Sequence, residues 1–387
     1  MKNNLMQITV LAVLFLAFHM SGPESRDVVF FTPDFPVAPP FLEDDNPWVD
    51  SVMEGLSLDD RIAQMIMVQA YSNMGETHEK AIAKLITRHH VGGVAFFQGN
   101  PVSQARLTNR FQEKSRTPLL VAIDGENGLG MRLERTIKYP PQMALGAISD
   151  NRLIYTLGQD MARQMRRLGV HLNFAPVADI NNNPANPVIN TRSFGEDPKN
   201  VAIKVVALMR GMQEGGLLVA AKHFPGHGDT DTDSHHSLPV LPYGRDRLDS
   251  LELYPFREAI LRGLTGVMVA HLQVPALDDR ENRPATVSEK VVTRLLKEEL
   301  DFRGLVITDA LNMKGLSQFY EPGMREVEAV KAGNDVLLMP VDVGRAITEV
   351  KRAVRRGEIP EERINESCRK ILLAKYWAGL HNFEPVD

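Results

Sequence analysis

The sequence contains a single cysteine, Cys368, among 387 residues. One cysteine cannot form a disulfide within the chain, and it excludes a metal site built mainly from cysteines. Cys368 lies in a helix-like stretch near the C-terminus, so we interpret it as a buried thiol. Because 43% of the residues are hydrophobic, the chain can bury a large core and does not depend on disulfides for stability.

The sequence also lacks an excess of positive charge, since its formal net charge is −5. This charge gives no indication of a general affinity for nucleic acid or for anionic membranes. We find no internal repeats, no low-complexity tract and no HExxH zinc motif. No GxGxxG motif follows the first predicted strand, which disfavours a dinucleotide-binding fold.

The N-terminus has the pattern of a targeting segment. Lys2 precedes the apolar run Leu5–Phe18, and the small residues Ser21 and Gly22 follow it. That order is typical of a secretory signal peptide, and the run is short for a membrane span. We predict that residues 1–22 are a signal peptide, that the protein is periplasmic or extracellular, and that no stable membrane insertion remains after cleavage. A retained N-terminal membrane anchor is the alternative.

The rest of the chain divides at residue 50. Residues 26–50 contain five prolines and no periodic pattern, which indicates irregular structure. We predict a linker or surface arm over residues 23–50 and a single catalytic domain over residues 51–387.

Short apolar runs recur from residue 51 onward, with helix-like stretches between most of them. Their apolar residues are continuous rather than alternating, which is typical of parallel strands buried on both faces. The predicted strands are residues 64–70, 91–97, 119–124, 173–179, 219–224, 266–272, 305–311 and 335–340. Helical spacing over 150–169 and 288–302 predicts two helices, with Asp150 and Ser288 as N-caps and Gly169 as a C-cap. This α/β pattern favours a (β/α)8 TIM barrel over a doubly wound open sheet.

Polar residues follow the apolar runs where the predicted strands end. They are Asp124, Asp179, Lys222 with His223, His271 and Asp309. In a (β/α)8 barrel these ends converge on one rim, which is where the active site lies. Asp309 is the strongest nucleophile candidate, because a rigid buried strand would orient its carboxylate. An N-cap of the following helix is the alternative role.

The stretch "KHFPGHGDTDTDSHHSLP", residues 222–239, is rich in histidine and aspartate. A metal site from His223, His227, His235 and Asp229 is conceivable, but no metal-binding spacing motif supports it. A nucleic-acid loop is disfavoured because the segment is acidic. Proton transfer fits better, since Asp233 and His235 lie on one side of an extended segment. His236 is a rival, and we predict no metal and no cofactor.

Three stretches resemble a known family. "KHFPGHGDTDTDSHHSLP", "FAPVADINNNPANPVINTRSFGEDP" and "ITDALNMKG" are similar to signature stretches of the single-domain β-N-acetylglucosaminidases of glycoside hydrolase family 3. The resemblance covers about residues 55 to 378. It implies a retaining mechanism in which Asp309 is the nucleophile and His235, partnered by Asp233, is the acid/base. It also implies contacts to sugar hydroxyl and N-acetyl groups from Asp124, Arg132, Arg192, Lys222 and His223.

The resemblance has one departure. The family usually has DQEGGRVxR after the third strand, whereas this chain has "DGENGLGMR" over residues 124–132. Asp124 and Arg132 keep their places, but Leu129 replaces an arginine and Gly125 replaces a glutamine. We expect this change to alter the aglycone side more than the sugar pocket. Two-domain relatives supply a glutamate acid from a second domain, and we expect this chain to use the histidine instead.

These observations predict a monomeric enzyme with a small carbohydrate substrate. The expected substrates are N-acetylglucosamine (GlcNAc) glycosides from peptidoglycan fragments (muropeptides) or chito-oligosaccharides. A β-glucosidase or β-xylosidase of the same family, or a sugar-binding protein with reduced turnover, are the alternatives.

Overall fold

The computed structural model describes residues 37–43, 45–234 and 237–387. The predicted signal peptide, residues 23–36 of the predicted arm, and the histidines His235 and His236 lie outside the described residues. Within the described ranges, no helix is both long and apolar enough to cross a bilayer.

Eight parallel strands form the centre of the molecule. They are β1 (Ile66–Ala70), β2 (Gly93–Phe96), β3 (Leu120–Ile123), β4 (Leu172–Asn173), β5 (Leu218–Phe224), β6 (Gly266–Val269), β7 (Leu305–Thr308) and β8 (Leu337–Leu338). The strands are hydrogen-bonded in the order β7-β6-β5-β4-β3-β2-β1-β8. A parallel bridge between Ile307 and Val336 brings β7 beside the segment that enters β8. This nearly closed ring confirms the (β/α)8 prediction.

Helices surround the strands. They are α1 (Pro47–Glu54), α2 (Leu58–Gln64), α3 (Gly75–His89), α4 (Pro101–Lys114), α5 (Gln142–Gly146), α6 (Asn151–Arg167), α7 (Pro198–Glu214), α8 (Arg245–Ser250), α9 (Tyr254–Ile260), α10 (Lys290–Glu299, a π-helix), α11 (Lys314–Ser317), α12 (Met324–Ala332), α13 (Val343–Arg355) and α14 (Glu361–Trp377). The Asp150 side chain accepts from the backbone N–H of Arg152 at the start of α6, and Gly169 follows α6 with a φ of 69°. Ser288 Oγ accepts from the Val291 N–H at the start of α10.

The strands are buried on both faces, which explains their continuous apolar runs. All four residues of β2, β3, β6 and β7 are buried, as are all seven of β5. One face packs inside the barrel and the other packs against the helices.

Strand β4 is shorter than the sequence predicted. It includes only Leu172 and Asn173, although the apolar run extends to Asp179. Beyond β4, the Gln142 side chain accepts from the Val177 N–H and donates to the Val177 carbonyl. On the β5 side, the segment keeps one parallel bridge, in which the Lys222 N–H donates to the Pro176 carbonyl and the Ala178 N–H donates to the Lys222 carbonyl. The segment therefore stays buried, with its backbone groups paired to β5 and to the Gln142 side chain.

The folded part of the chain also begins earlier than predicted. Helix α1 starts at Pro47, before the predicted boundary at residue 50, and the Asn46 side chain caps it by accepting from the Val49 N–H. Upstream, the Val37 N–H donates to the Leu261 carbonyl at 3.0 Å, and Phe41 is 1% exposed. Residues 37–43 of the predicted arm therefore lie against the barrel.

Candidate active site

A buried lysine at the end of β5 organises the charged residues of the barrel rim. Lys222 Nζ donates to Asp124 Oδ1 at 2.6 Å and to Glu126 Oε1 at 2.7 Å. Lys222 is 2% exposed, so its ammonium needs these carboxylates as partners. Asp124 and Glu126 follow β3 in the chain, and the barrel places their carboxylates beside Lys222 at the end of β5.

Two arginines complete this charged cluster. Arg192 donates to both carboxylate oxygens of Glu126, with Nη2–Oε1 at 2.7 Å and Nε–Oε2 at 3.0 Å. Arg132 Nη2 donates to Asp124 Oδ2 at 2.6 Å, and its guanidinium lies 5.2 Å from the centre of the Phe97 ring. Although burial raises the pKa of Glu126, Lys222 and Arg192 hold it well below its usual range.

Glu126 is the site residue that the sequence analysis missed. It is 2% exposed and bonded to two predicted sugar-binding cations. Its sequence signal was a charged residue in a glycine-rich turn directly after Asp124. The strand-end rule did not select it, because it lies in the turn beyond the strand.

His223 is held by a buried aspartate. Its Nδ1 lies 2.6 Å from Asp179 Oδ2, and Asp179 also accepts from the backbone N–H groups of His223 and His227. Nη2 of Arg192 lies 3.2 Å from Nε2 of His223. Because arginine can only donate, Nε2 accepts and the Nδ1 proton is directed at Asp179. Asp179 is 0% exposed, so it orients His223 and does not contact solvent.

The part of the histidine-rich loop that precedes His235 and His236 makes hydrogen bonds to neighbouring segments. The Asn186 side chain donates to the His227 carbonyl at 2.8 Å. Asp229 Oδ2 accepts from Asn182 at 2.9 Å and from Arg247 at 2.5 Å. These contacts hold the loop against the segment that follows β4 and against α8.

His227 is buried within this loop. Its Nδ1 lies 2.7 Å from Thr230 Oγ1 and its Nε2 lies 3.3 Å from Ser234 Oγ. Burial lowers the pKa of His227 to about 4, so the ring is neutral near pH 7. The predicted acid/base, His235, lies outside the described residues. Its predicted partner Asp233 is half-buried, and the Asp233 carbonyl accepts from the Ser237 N–H.

Asp309 lies directly after β7. Its backbone N–H donates to the Val269 carbonyl at 3.0 Å, and its Oδ1 accepts from the Ala310 N–H at 2.7 Å. Burial raises the pKa of Asp309, but His271, His223 and the Ala310 N–H together hold it below its usual value. The carboxylate is therefore ionised and oriented, as a nucleophile requires.

A cavity of about 350 Å³ connects these groups, and we call it the rim cavity. The predicted residues that line it are Asp124, Arg132, Arg192, Lys222, His223 and Asp309. Ser234, next to Asp233, also lines it. Glu126, Asp179 and His271 are buried behind this surface. The fold thus brings together six of the eight predicted site residues, while their roles remain predictions.

Within the described ranges, no three or more His, Cys, Asp or Glu side chains are grouped so that they could hold a metal ion. His223 is bonded to Asp179, and His227 is bonded to Thr230. Nδ1 of each ring is therefore engaged in one of these contacts, and Nε2 of His223 lies within hydrogen-bonding distance of Arg192.

The family described as "Glycosyl hydrolase family 3 N terminal domain" matches residues 57–374. The chain belongs to glycosyl hydrolase family 3. It is 36% identical to "Beta-hexosaminidase A" of Pseudoalteromonas piscicida, with 76% of this chain and 54% of that protein covered. It is 31% identical to "Beta-hexosaminidase LpqI" of Mycobacterium tuberculosis, with 83% of each chain covered.

A solved family 3 structure has the same fold. It is a β-N-acetylglucosaminidase from Paenibacillus sp. str. FPU-7, with a TM-score of 0.80 and 40% identity. The alignment covers 86% of this chain and 64% of that one. The chain therefore spans about half of the Pseudoalteromonas relative and under two thirds of the Paenibacillus protein.

Proposed function

We propose that this protein is an exo-acting, retaining β-N-acetylglucosaminidase. The observation that carries the proposal is the rim cavity, in which the ionised Asp309 carboxylate shares one small space with Lys222, Arg192 and His223. Cations and a fixed imidazole can bind sugar hydroxyl and N-acetyl oxygens while the carboxylate reaches the anomeric carbon. A cavity of about 350 Å³ suits a single terminal sugar.

The proposed reaction has two steps. Asp309 attacks the anomeric carbon, the glycosidic C–O bond breaks, and His235 protonates the departing oxygen. His235 then removes a proton from water, which attacks the same carbon and releases Asp309, as in other retaining glycosidases. Asp233 orients the His235 ring and stabilises its protonated form.

The substrate proposal is supported by the relatives. Two curated proteins at 31% and 36% identity are named β-hexosaminidases, and the Paenibacillus structure is titled a β-N-acetylglucosaminidase. Together with the predicted export of the protein, this supports terminal GlcNAc on peptidoglycan fragments or chito-oligosaccharides as the proposed substrate. The same cavity would also suit the sugar bound by a β-glucosidase, by a β-xylosidase or by a binding protein with little turnover.

A panel of chromogenic glycosides tests the proposal. We expect the β-GlcNAc glycoside to be hydrolysed with a kcat/KM at least about tenfold above those of the β-glucoside and β-xyloside, or about 1.4 kcal/mol of selectivity. A preference for the glucoside or xyloside would support the alternative enzymes. Binding of GlcNAc without hydrolysis of any glycoside would support the sugar-binding protein.

Variants at His235 test the proposed acid/base. Protonation matters most when the leaving group is poor. His235→Ala should therefore slow a natural disaccharide far more than an aryl glycoside with a good leaving group, and Asp233→Ala should show the same pattern more weakly. The adjacent His236→Ala variant is the control and should do little. If His236→Ala shows the dependence and His235→Ala does not, the two roles are reversed.

A further inference from the structure

A second cavity lies beside the rim cavity. It has a volume of about 730 Å³ and lies between helix α3 and residues 339–344, where the chain leaves β8 and enters α13. We call it the α3–α13 groove. Gln69, Asn312 and Met339 line both cavities, so the groove begins where the proposed sugar site ends.

The boundary between the two cavities has polar groups available for a ligand. Within the described ranges, the side-chain amides of Gln69 and Asn312 have no hydrogen-bond partner, and Asn312 is exposed. Met339 forms the shared wall with a φ of 54°, a left-handed backbone that non-glycine residues seldom adopt. Such conformations concentrate at ligand sites.

His78 connects the two cavities at the start of α3. The Tyr71 N–H donates to His78 Nε2 at 3.0 Å, and Tyr71 lines the rim cavity while His78 lines the groove. Because Nε2 accepts, the neutral ring carries its proton on Nδ1 and can donate from it.

The remainder of the groove combines apolar walls with a free cation. Ile82, Leu85 and Val341 line it, and Val341 is 62% exposed. Arg88 also lines it and is exposed, and no described carboxylate lies within 4.0 Å of its guanidinium. Asp342 is the only acid among the described lining residues, and its Oδ1 accepts from the Arg345 N–H.

We propose that the α3–α13 groove is an aglycone site, and that it binds an extended leaving group which ends in a carboxylate. The inference rests on the proposed glycosidase function. The sugar occupies the rim cavity, the aglycone passes Gln69 and Asn312, its apolar part packs on Leu85 and Val341, and its carboxylate pairs with Arg88. An arginine without a partner is suited to a carboxylate because its planar fork can donate twice.

Two matched substrates test the proposal. Both are aryl β-GlcNAc glycosides with the same flexible para chain, which ends in a carboxylate in one and in a neutral carboxamide in the other. We expect the wild-type protein to have a kcat/KM about three- to tenfold higher for the carboxylate. The preference should shrink as salt is added, because exposed charges are screened.

Variants on helix α3 identify the cation. Arg88→Met should abolish the preference for the carboxylate, and Arg88→Lys should keep part of it. Lys84→Met is the matched control, because Lys84 is an exposed cation one turn away that does not line the groove. It should keep the full preference. Circular dichroism should show that all three variants are folded.

Each outcome has a defined meaning. Equal kcat/KM for the two substrates in the wild type, or an unchanged preference in Arg88→Met, would overturn the proposal. If the wild type hydrolyses neither substrate, the proposed function fails, and calorimetric titration of the two glycosides then tests the groove. Tighter binding of the carboxylate that depends on Arg88 would support the groove, and equal binding would overturn it.

Discussion

At the scale of single residues, the site is a set of charges that satisfy one another inside the barrel rim. Glu126 is central, since it accepts from both Lys222 and Arg192 and is 2% exposed. Removing one partner of a buried charge cluster leaves the others uncompensated, at a cost of about 3–5 kcal/mol. Glu126 therefore positions the cations that we expect to contact the sugar.

Glu126→Gln should lower both activity and stability. The amide keeps the shape but loses the charge that anchors Lys222 and Arg192. We expect kcat/KM to fall by at least about tenfold, about 1.4 kcal/mol, and the free energy of unfolding to fall by about 3 kcal/mol. Glu134→Gln is the control, because Glu134 is exposed on the same loop. Equal effects of the two variants on hydrolysis of a β-GlcNAc glycoside and on denaturant unfolding would contradict the role of Glu126.

The sequence predicts part of this residue-level arrangement. Asp124, Lys222 and Asp309 could be selected because each lies at or directly after the end of a recognisable buried strand. Glu126 could not be selected that way, because its position depends on how the turn after β3 folds back towards β5. Arg132 and Arg192 came only from the family resemblance, since both lie in connecting segments.

At the scale of elements, the loop after β5 is fixed by the segment after β4. A Cβ atom at Gly228 would overlap the carbonyl oxygen of Ile180, so the two backbones approach as closely as they can. Asp229, next to Gly228, accepts from Asn182 and from Arg247 of α8. The loop thus has one docked position from which the residues leading to His235 extend.

Gly228→Ala should displace this loop. Overpacking of this kind costs about 1–3 kcal/mol, and we expect the displaced loop to misplace His235, the proposed acid/base. We expect kcat for a glycoside with a poor leaving group to fall by at least about tenfold, about 1.4 kcal/mol. Gly244→Ala is the control, because nothing lies within 4 Å of a Cβ atom there. If both variants retain wild-type kcat, the docking does not position the acid/base.

Element boundaries were predicted less well than element types. The eight strands and two helices were recognisable because their apolar residues follow clear periods. Beyond β4, the chain keeps only an isolated bridge from Val177 to Lys222 of β5, and the side chain of Gln142, distant in sequence, pairs with the Val177 N–H and carbonyl. A side chain that replaces a ladder partner leaves no pattern in the strand's own sequence.

At the scale of the whole molecule, the last helix places a lysine inside the fold. Lys375 of α14 is 0% exposed, and its Nζ donates to Gln64 Oε1 of α2 at 2.6 Å. Burial lowers the pKa of Lys375 to about 7, whereas an unfolded lysine titrates near 10.4. Below pH 7 both states are protonated and folding bears the full cost of burying the charge.

This lysine should make stability rise with pH. Between about pH 7 and 10 the unfolded state binds one more proton than the folded state, so the free energy of unfolding increases by about 1.4 kcal/mol per pH unit from this group. Lys375→Met should remove that slope and should be the more stable protein near pH 6. Denaturant unfolding of both proteins at pH 6, 7, 8 and 9 measures the difference. Parallel curves over this range would contradict a neutral buried lysine.

The overall architecture was predictable because a barrel repeats one unit. Each buried strand requires a continuous apolar run, and eight such runs with intervening helices favour one ring. The α3–α13 groove was not predictable, because it depends on how far helix α3 and the chain after β8 are separated. The distance between two such elements is set by side-chain packing, and it leaves no local pattern in the sequence.

We propose that Asp309 forms a covalent glycosyl-enzyme, and this intermediate can be trapped on the protein. The protein is incubated with an activated 2-deoxy-2-fluoro glycoside, which slows both steps and leaves the sugar on the nucleophile, and the labelled peptide is sequenced by mass spectrometry. We expect one sugar per chain, on Asp309, and no labelling of Asp309→Asn, whose turnover should fall by at least about tenfold, about 1.4 kcal/mol. A sugar on any other residue, or wild-type turnover by Asp309→Asn, would contradict it.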